Sequence, residues 1–207
     1  MDYVNEISIK NKGTGAGGAN TNINGISFEN KTSIENKLLE NNFTKIIMNN
    51  KNKYGYYFEY NDVENNNKII YLTQNGFKIY FKEKHNINVY KQPDEAFIII
   101  SGNNYNIKIL EKKNQNVDGS VEDKLKTGYF NKKEYEKMIK KEVEYKKKDF
   151  NFTISYAFCI SAFLQNKFNS MLPKYNIIKE IMMEDGINIF YGEEINYFNQ
   201  LLEWIKS

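Results

Sequence analysis

Apolar and polar positions divide the chain into short blocks of changing period. Three runs, 44–48, 54–60 and 68–73, are rich in Ile, Tyr or Phe and bounded by Asn or Gly, which predicts strands. The period then shifts. Phe77, Tyr80, Phe81 and Lys84 recur three and four apart, which predicts a helix over 75–85. Runs 94–101 and 105–112 flank Gly102-Asn103-Asn104, residues that tolerate positive φ, and predict a β-hairpin. A long charged stretch from about Ser120 to Lys147 predicts helix, with Ser120 and Asp123 as a capping-box-like start and Gly128 as a break. A buried strand at 150–160 and a short helix to Phe168 follow. Pro173 opens a helix to about Glu184, 188–191 is a short strand, and 195–206 is the last helix. Ahead of all these, one helix is expected from Gly25 or Thr32 to Asn41, with Ser33 and Asn36 as a partial cap. The order αβββαββααβααβα reads as α/β, a central mixed sheet flanked by helices. No repeat or linker divides 1–207, so a single domain is expected, with 11–25 a Gly/Asn-rich loop or arm.

That loop runs Gly13-Thr14-Gly15-Ala16-Gly17-Gly18, but no apolar strand precedes it and no Gly-Lys-Ser/Thr follows. A nucleotide-binding reading is therefore weak. A flexible arm, or a loop whose backbone N–H groups approach DNA, fits better.

Composition sharpens the picture in three ways. Hydrophobic residues at 41% and aromatics at 15% support a real core. The net charge of +3 allows nucleic acid without demanding it. Every basic residue other than His85 is Lys, since the chain has no Arg, and Asn is abundant; an AT-rich genome is the plain reading. Without an Arg fork, base reading falls to Lys, Asn, Gln, Ser, Thr and backbone groups. The lone Cys159 sits in an apolar run and is expected to be buried and structural. The first residues do not read as a signal peptide, and no apolar stretch is long enough to span a bilayer. A cytoplasmic protein without a membrane partner is expected.

The candidate chemistry lies in the hairpin. Pro93-Asp94 opens one arm and Glu111-Lys112-Lys113 closes the other. Glu-x-Lys also occurs at Glu35, Glu122 and Glu144, but those copies fall on expected helices, where residues two apart do not share a face. On a strand they do, so Lys113 should join Glu111 while Lys112 faces away. Proline occurs twice in the chain, and only Pro93 is followed by an acid. The plain alternative is a turn proline and a Lys-rich strand end.

Here the chain resembles the PD-(D/E)xK nuclease superfamily, and within it type II restriction endonucleases. The resemblance implies a restriction-endonuclease-like fold and an Mg²⁺-dependent DNA endonuclease. It implies that Asp94, Glu111 and the backbone carbonyl of Lys112 hold Mg²⁺, and that Lys113 orients or activates the attacking water. Glu29, from the first-helix region, is the candidate for a further acid, and Gln115 for a residue continuing the Glu111 and Lys113 face. The stretch Asn116-Val117-Asp118-Gly119-Ser120 also resembles sequence that follows the motif in restriction enzymes. Histidine-based, zinc-based and arginine-dependent nuclease sites are disfavoured, because His85 is the sole histidine and Arg is absent. His85 itself is expected at a helix end on the surface. The function expected is sequence-specific hydrolysis of double-stranded DNA at a short palindrome by a homodimer. Lacking Arg, the commonest guanine reader, it should prefer an A·T-rich site. A repair or structure-specific nuclease, a non-catalytic DNA-binding module, and a scaffold using the Lys-rich stretch 132–148 are the alternatives.

Overall fold

The computed structural model of the protein describes residues 26–50, 53–115, 121–170 and 172–207. The glycine-rich loop 11–25, the stretch 116–120 and the Ser120 cap therefore lie outside the described residues. The chain forms an α/β fold around a seven-stranded mixed sheet flanked by helices. The strands are β1 (Thr44–Asn50), β2 (Lys53–Asp62), β3 (Asn67–Thr73), β4 (Glu95–Ser101), β5 (Asn104–Lys113), β6 (Asn151–Ile160) and β7 (Ile187–Tyr191). They lie side by side in chain order. Neighbours from β1 to β5 are antiparallel, whereas β5–β6 and β6–β7 are parallel. Parallel neighbours need a crossover, and helices supply it. α4 (Val121–Lys126) and α5 (Gly128–Tyr145) join β5 to β6, while α6 (Ala162–Phe168) and α7 (Pro173–Glu184) join β6 to β7. α3 (Gln74–His85) lies between β3 and β4.

The expected element order holds, with one correction at the start. The single first helix is two: α1 (26–31) and α2 (Glu35–Glu40). The Thr32 hydroxyl donates to the Phe28 carbonyl at 2.8 Å, a local bond that competes with helix continuation. α2 starts after Ile34 with no side-chain cap, so the expected Ser33 cap is not made. By contrast Thr73 caps α3, its hydroxyl accepting the Gly76 N–H at 3.2 Å. The β4–β5 turn forms as expected between Ser101 and Asn104, with Gly102 supplying a φ of 56°.

Side chains alternate across the sheet and bury two apolar layers. On one face Ile70, Leu72, Ala96, Ile98, Ile107, Ile109, Tyr156 and Phe158 pack under α3 to α7. On the other, Ile69, Tyr71, Phe97, Leu110, Ala157 and Cys159 pack under α1, α2 and α8 (Tyr197–Lys206). Both faces of the inner strands are covered, so those strands are nearly continuously apolar. Cys159 is fully buried, in line with the structural reading. His85 does end α3, but it is half-buried rather than on the surface, among the rings of Tyr80, Phe81, Tyr105 and Phe150 at centroid distances of 5.2–5.8 Å. Its aromatic neighbours and the nearby Lys84 and Lys148 lower its pKa.

Gly192, just past β7, is where the second layer closes. A Cβ there would stand 2.6 Å from Thr32 Cγ2, 2.7 Å from Cys159 Sγ and 2.9 Å from Phe28 Cζ. Gly192→Ala is therefore expected to destabilise the fold by about 1–3 kcal/mol through overpacking. Thermal unfolding followed by circular dichroism checks this; an unchanged midpoint would show that α1 can give way at no cost.

Candidate active site

The sheet is open where β4 begins. β4 and β5 pair up to Glu95↔Leu110 and no further. One more step of that register sets Asp94 level with Glu111, and a second sets Pro93 opposite Lys112. Proline has no N–H, so it cannot continue the ladder. The Lys112 N–H is satisfied instead by the Asp94 side chain, whose Oδ2 accepts it at 2.6 Å. A strand residue's N–H and C=O point the same way. The Lys112 carbonyl thus also points to the open side, while that of Lys113 turns to β6 and accepts the Ser161 N–H at 3.2 Å. Asp94 is consequently clamped at the edge with the Lys112 carbonyl beside it.

The alternation of β5 divides the chemistry between the two faces. Glu111 and Lys113 continue the row of Ile107 and Ile109 on the α5 side. Lys113 Nζ donates to Glu111 Oε2 at 2.9 Å, and Tyr135 of α5 donates to Oε1 at 3.4 Å. Burial, first, and the charge of Asp94 raise the Glu111 pKa; Lys113 and Lys91 pull it down. Lys91 is itself fixed, donating to Asn131 Oδ1 at 2.7 Å and to Glu134, with its ammonium over the Tyr135 ring.

On the opposite face Lys112 is buried under α1. Its ammonium donates to Glu95 Oε1 at 2.7 Å and to the Glu29 carbonyl at 3.2 Å, and Tyr71 donates to the same Glu95 oxygen at 3.1 Å. The two charged side chains are only 3% and 4% exposed. Desolvation raises the Glu95 pKa against the pull of Lys112. The Glu29 side chain lies on the rim and is exposed. Partial desolvation and Asp94 raise its pKa, while Lys112 and Lys113 lower it.

Asp94 and Lys113 thus act electrostatically on both Glu111 and Glu29, and Lys112 faces away from Glu111 as expected. Gln115 lies two residues past the end of β5. Its backbone is tied to Ser161: its N–H donates to Oγ at 3.2 Å and its carbonyl accepts from it at 2.9 Å. The sequence reading missed Glu95, Tyr135 and Lys91. Glu95 was recoverable, since alternation from Asp94 sends it to the Lys112 face. Tyr135 and Lys91 carried no local signal.

Among the described residues, no group of three or more His, Cys, Asp or Glu side chains forms a metal cluster. The oxygen donors on offer are the Asp94 and Glu111 carboxylates and the Lys112 carbonyl. That hard, sparse set suits Mg²⁺, which keeps several of its waters. Burial, first, and the neighbouring Asp94 charge raise the Glu111 pKa, and a divalent cation between the two carboxylates would favour the ionised form.

Removing one partner of the buried Lys112–Glu95 pair leaves an uncompensated charge, at a cost of about 3–5 kcal/mol. Lys112→Met should destabilise by that order in chemical denaturation at neutral pH. In the variant the Glu95 pKa rises further above its unfolded value. The deficit should therefore shrink as pH falls through that raised pKa, because Glu95 takes up a proton. A deficit constant with pH would refute the charge explanation. Compared with known proteins, the chain matches no family model, no curated protein and no solved structure.

Proposed function

We propose that the protein is an Mg²⁺-dependent DNA endonuclease with a PD-(D/E)xK-type site on a restriction-endonuclease-like fold. The observation that carries this reading is the strand-end arrangement: Asp94 clamped to the Lys112 N–H, with Glu111 and Lys113 paired on one face. Asp94, Glu111 and the Lys112 carbonyl would hold the cation. When bound, Mg²⁺ supplies Lewis acidity to the phosphate and lowers the pKa of water.

The chain's own groups do the rest. Lys113 places an ammonium beside the carboxylates, where it can orient a water and offset charge building on the phosphate. Tyr135 holds Glu111 in place through its other oxygen. Glu29, on the rim with a raised pKa, can accept a proton from water. Gln115, its backbone held by Ser161, remains the candidate for a further polar group at this end of β5.

The first form of this activity is cutting of double-stranded DNA at a fixed, A·T-rich palindrome by a homodimer, as type II restriction enzymes do. A second form, structure-specific cutting in repair, is favoured by the exposed rings of Tyr90 and Phe130 near the site. Digestion of a mixed-sequence plasmid separates them. Discrete Mg²⁺-dependent bands that vanish in Asp94→Ala are expected of the first, and cutting confined to junctions or gaps of the second. A purified protein with no hydrolytic activity on any DNA form would sink both.

The pH profile offers a second check. Because Glu111, before the cation binds, holds its proton more tightly than an ordinary carboxyl, protons should compete with Mg²⁺, and activity at limiting Mg²⁺ should fall away on the acid side. Lys91→Met removes a charge that favours ionised Glu111 and should move this limb to higher pH. A limb that stays put would mean that Glu111 does not set it.

A further inference from the structure

A groove of about 730 Å³ runs between the 86–90 loop and α5. Its loop wall holds Asn88 and Tyr90, and its helix wall extends from Tyr129 and Phe130 to Lys141 and Glu142. At 1.5 Å per residue, that span of α5 is about 20 Å long. Three features define its chemistry.

First, its lysines form a row. Lys133, Lys137 and Lys141 recur every four residues on one side of α5, about 6 Å apart along the axis. Lys133 leans on Glu136 at 2.7 Å, whereas Lys137 and Lys141 make no ion pair among the described residues. Second, its acids are already engaged. Glu134 accepts from Lys91, and Glu142 accepts the Asn88 N–H at 2.9 Å. Glu142 keeps its negative charge, so among the described residues the unpaired groups facing a ligand are Lys137 and Lys141 against Glu142, a small positive excess. Third, its mouth carries rings in water: Tyr90 is 73% exposed, Phe130 69% and Tyr129 48%. Lys133 stands 5.6 Å over the Tyr129 ring, whereas Tyr90 and Phe130 present open faces beside the lysine row on which a flat group can stack.

Lys91 ties the groove wall to the candidate site: it donates to Glu134, and its charge favours ionised Glu111.

We propose that this groove binds a segment of DNA with unpaired bases, with phosphates along Lys137 and Lys141 and bases stacked on Tyr90 and Phe130. The lysine row alone would serve any nucleic-acid backbone. The rings decide the class, because in a duplex the base faces are already stacked and only an unpaired base has a face to offer. The proposal deepens the nuclease reading and rests on it: the substrate would carry a single-stranded stretch beside the bond that is cut.

The test is binding by fluorescence anisotropy in EDTA, using labelled oligo-dT of about a dozen nucleotides and a duplex of equal length. Tyr90→Ala with Phe130→Ala should weaken oligo-dT binding by at least about tenfold and leave duplex binding almost unchanged. Lys137→Gln with Lys141→Gln should flatten the slope of log K against log salt by about 1.4, two phosphates at about 0.7 each. All four side chains are on the surface, and an unchanged thermal midpoint confirms that each variant is folded. No oligo-dT binding by the wild type, unchanged binding by the ring variant, or a preference for duplex lost equally with the rings would each overturn the proposal. The two readings fail separately. Asp94→Ala that binds oligo-dT through the rings, in a protein that never cuts DNA, keeps the groove and removes the nuclease. Cutting of fully paired plasmid without ring-dependent oligo-dT binding keeps the nuclease and removes the groove.

Discussion

An ammonium group buried beneath a strand is tolerated only if its charge and its hydrogen bonds are met, and the end of β5 is built around meeting those of Lys112. Desolvating each ion costs several kcal/mol, so the partner must be close and well held. Glu95 is the partner, at 2.7 Å, and Tyr71 steadies it from β3. The Glu29 carbonyl supplies a further acceptor from α1. One side chain therefore joins β3, β4, β5 and the first helix. An apolar pair of similar volume could be as stable. What the ionic pair adds is direction, since only one register lets Lys112 reach Glu95.

That register decides the other face. With Lys112 turned under α1, strand alternation sends Glu111 and Lys113 towards α5. With Pro93 unable to continue the ladder, the Asp94 carboxylate takes the place of a backbone acceptor for Lys112 N–H. A gap in backbone pairing has thus become a fixed carboxylate and an outward carbonyl. Burial and like charge raise Glu29 and Glu111, and the lysines oppose this from both faces. Few carboxylates, raised pKa values and an adjacent ammonium suit a site that takes up a hard cation and acts on a phosphodiester.

The absence of Arg shapes both proposals. A guanidinium would supply planar, bidentate contacts to phosphate and guanine. Lysine offers only a mobile point charge, so specificity has to come from elsewhere. In the α5 groove the elements with shape are the rings, and the lysines add attraction without direction. A surface of this kind holds a strand by its bases' faces and senses whether they are free.

The sequence by itself determined the element order and pointed to the end of β5 as the candidate site. Apolar runs bounded by Asn or Gly, spacings of three and four, and the Gly and Pro breaks are local signals, and strong enough here to place all seven described strands and the helices after them. Alternation along an extended strand likewise put Glu111 and Lys113 on one face without any tertiary information. The misses have physical reasons. The first helix broke because Thr32 bonds back to Phe28, a choice fixed once α1 docks beside Gly192. His85 went inward because Tyr105 and Phe150, distant in sequence, close an aromatic nest around it. Tyr135 and Lys91 meet Glu111 only because α5 crosses over the β5–β6 pair. Periodicity reports which side of its own element a residue occupies; which residue of another element waits there depends on helix docking, and only the tertiary structure decided that.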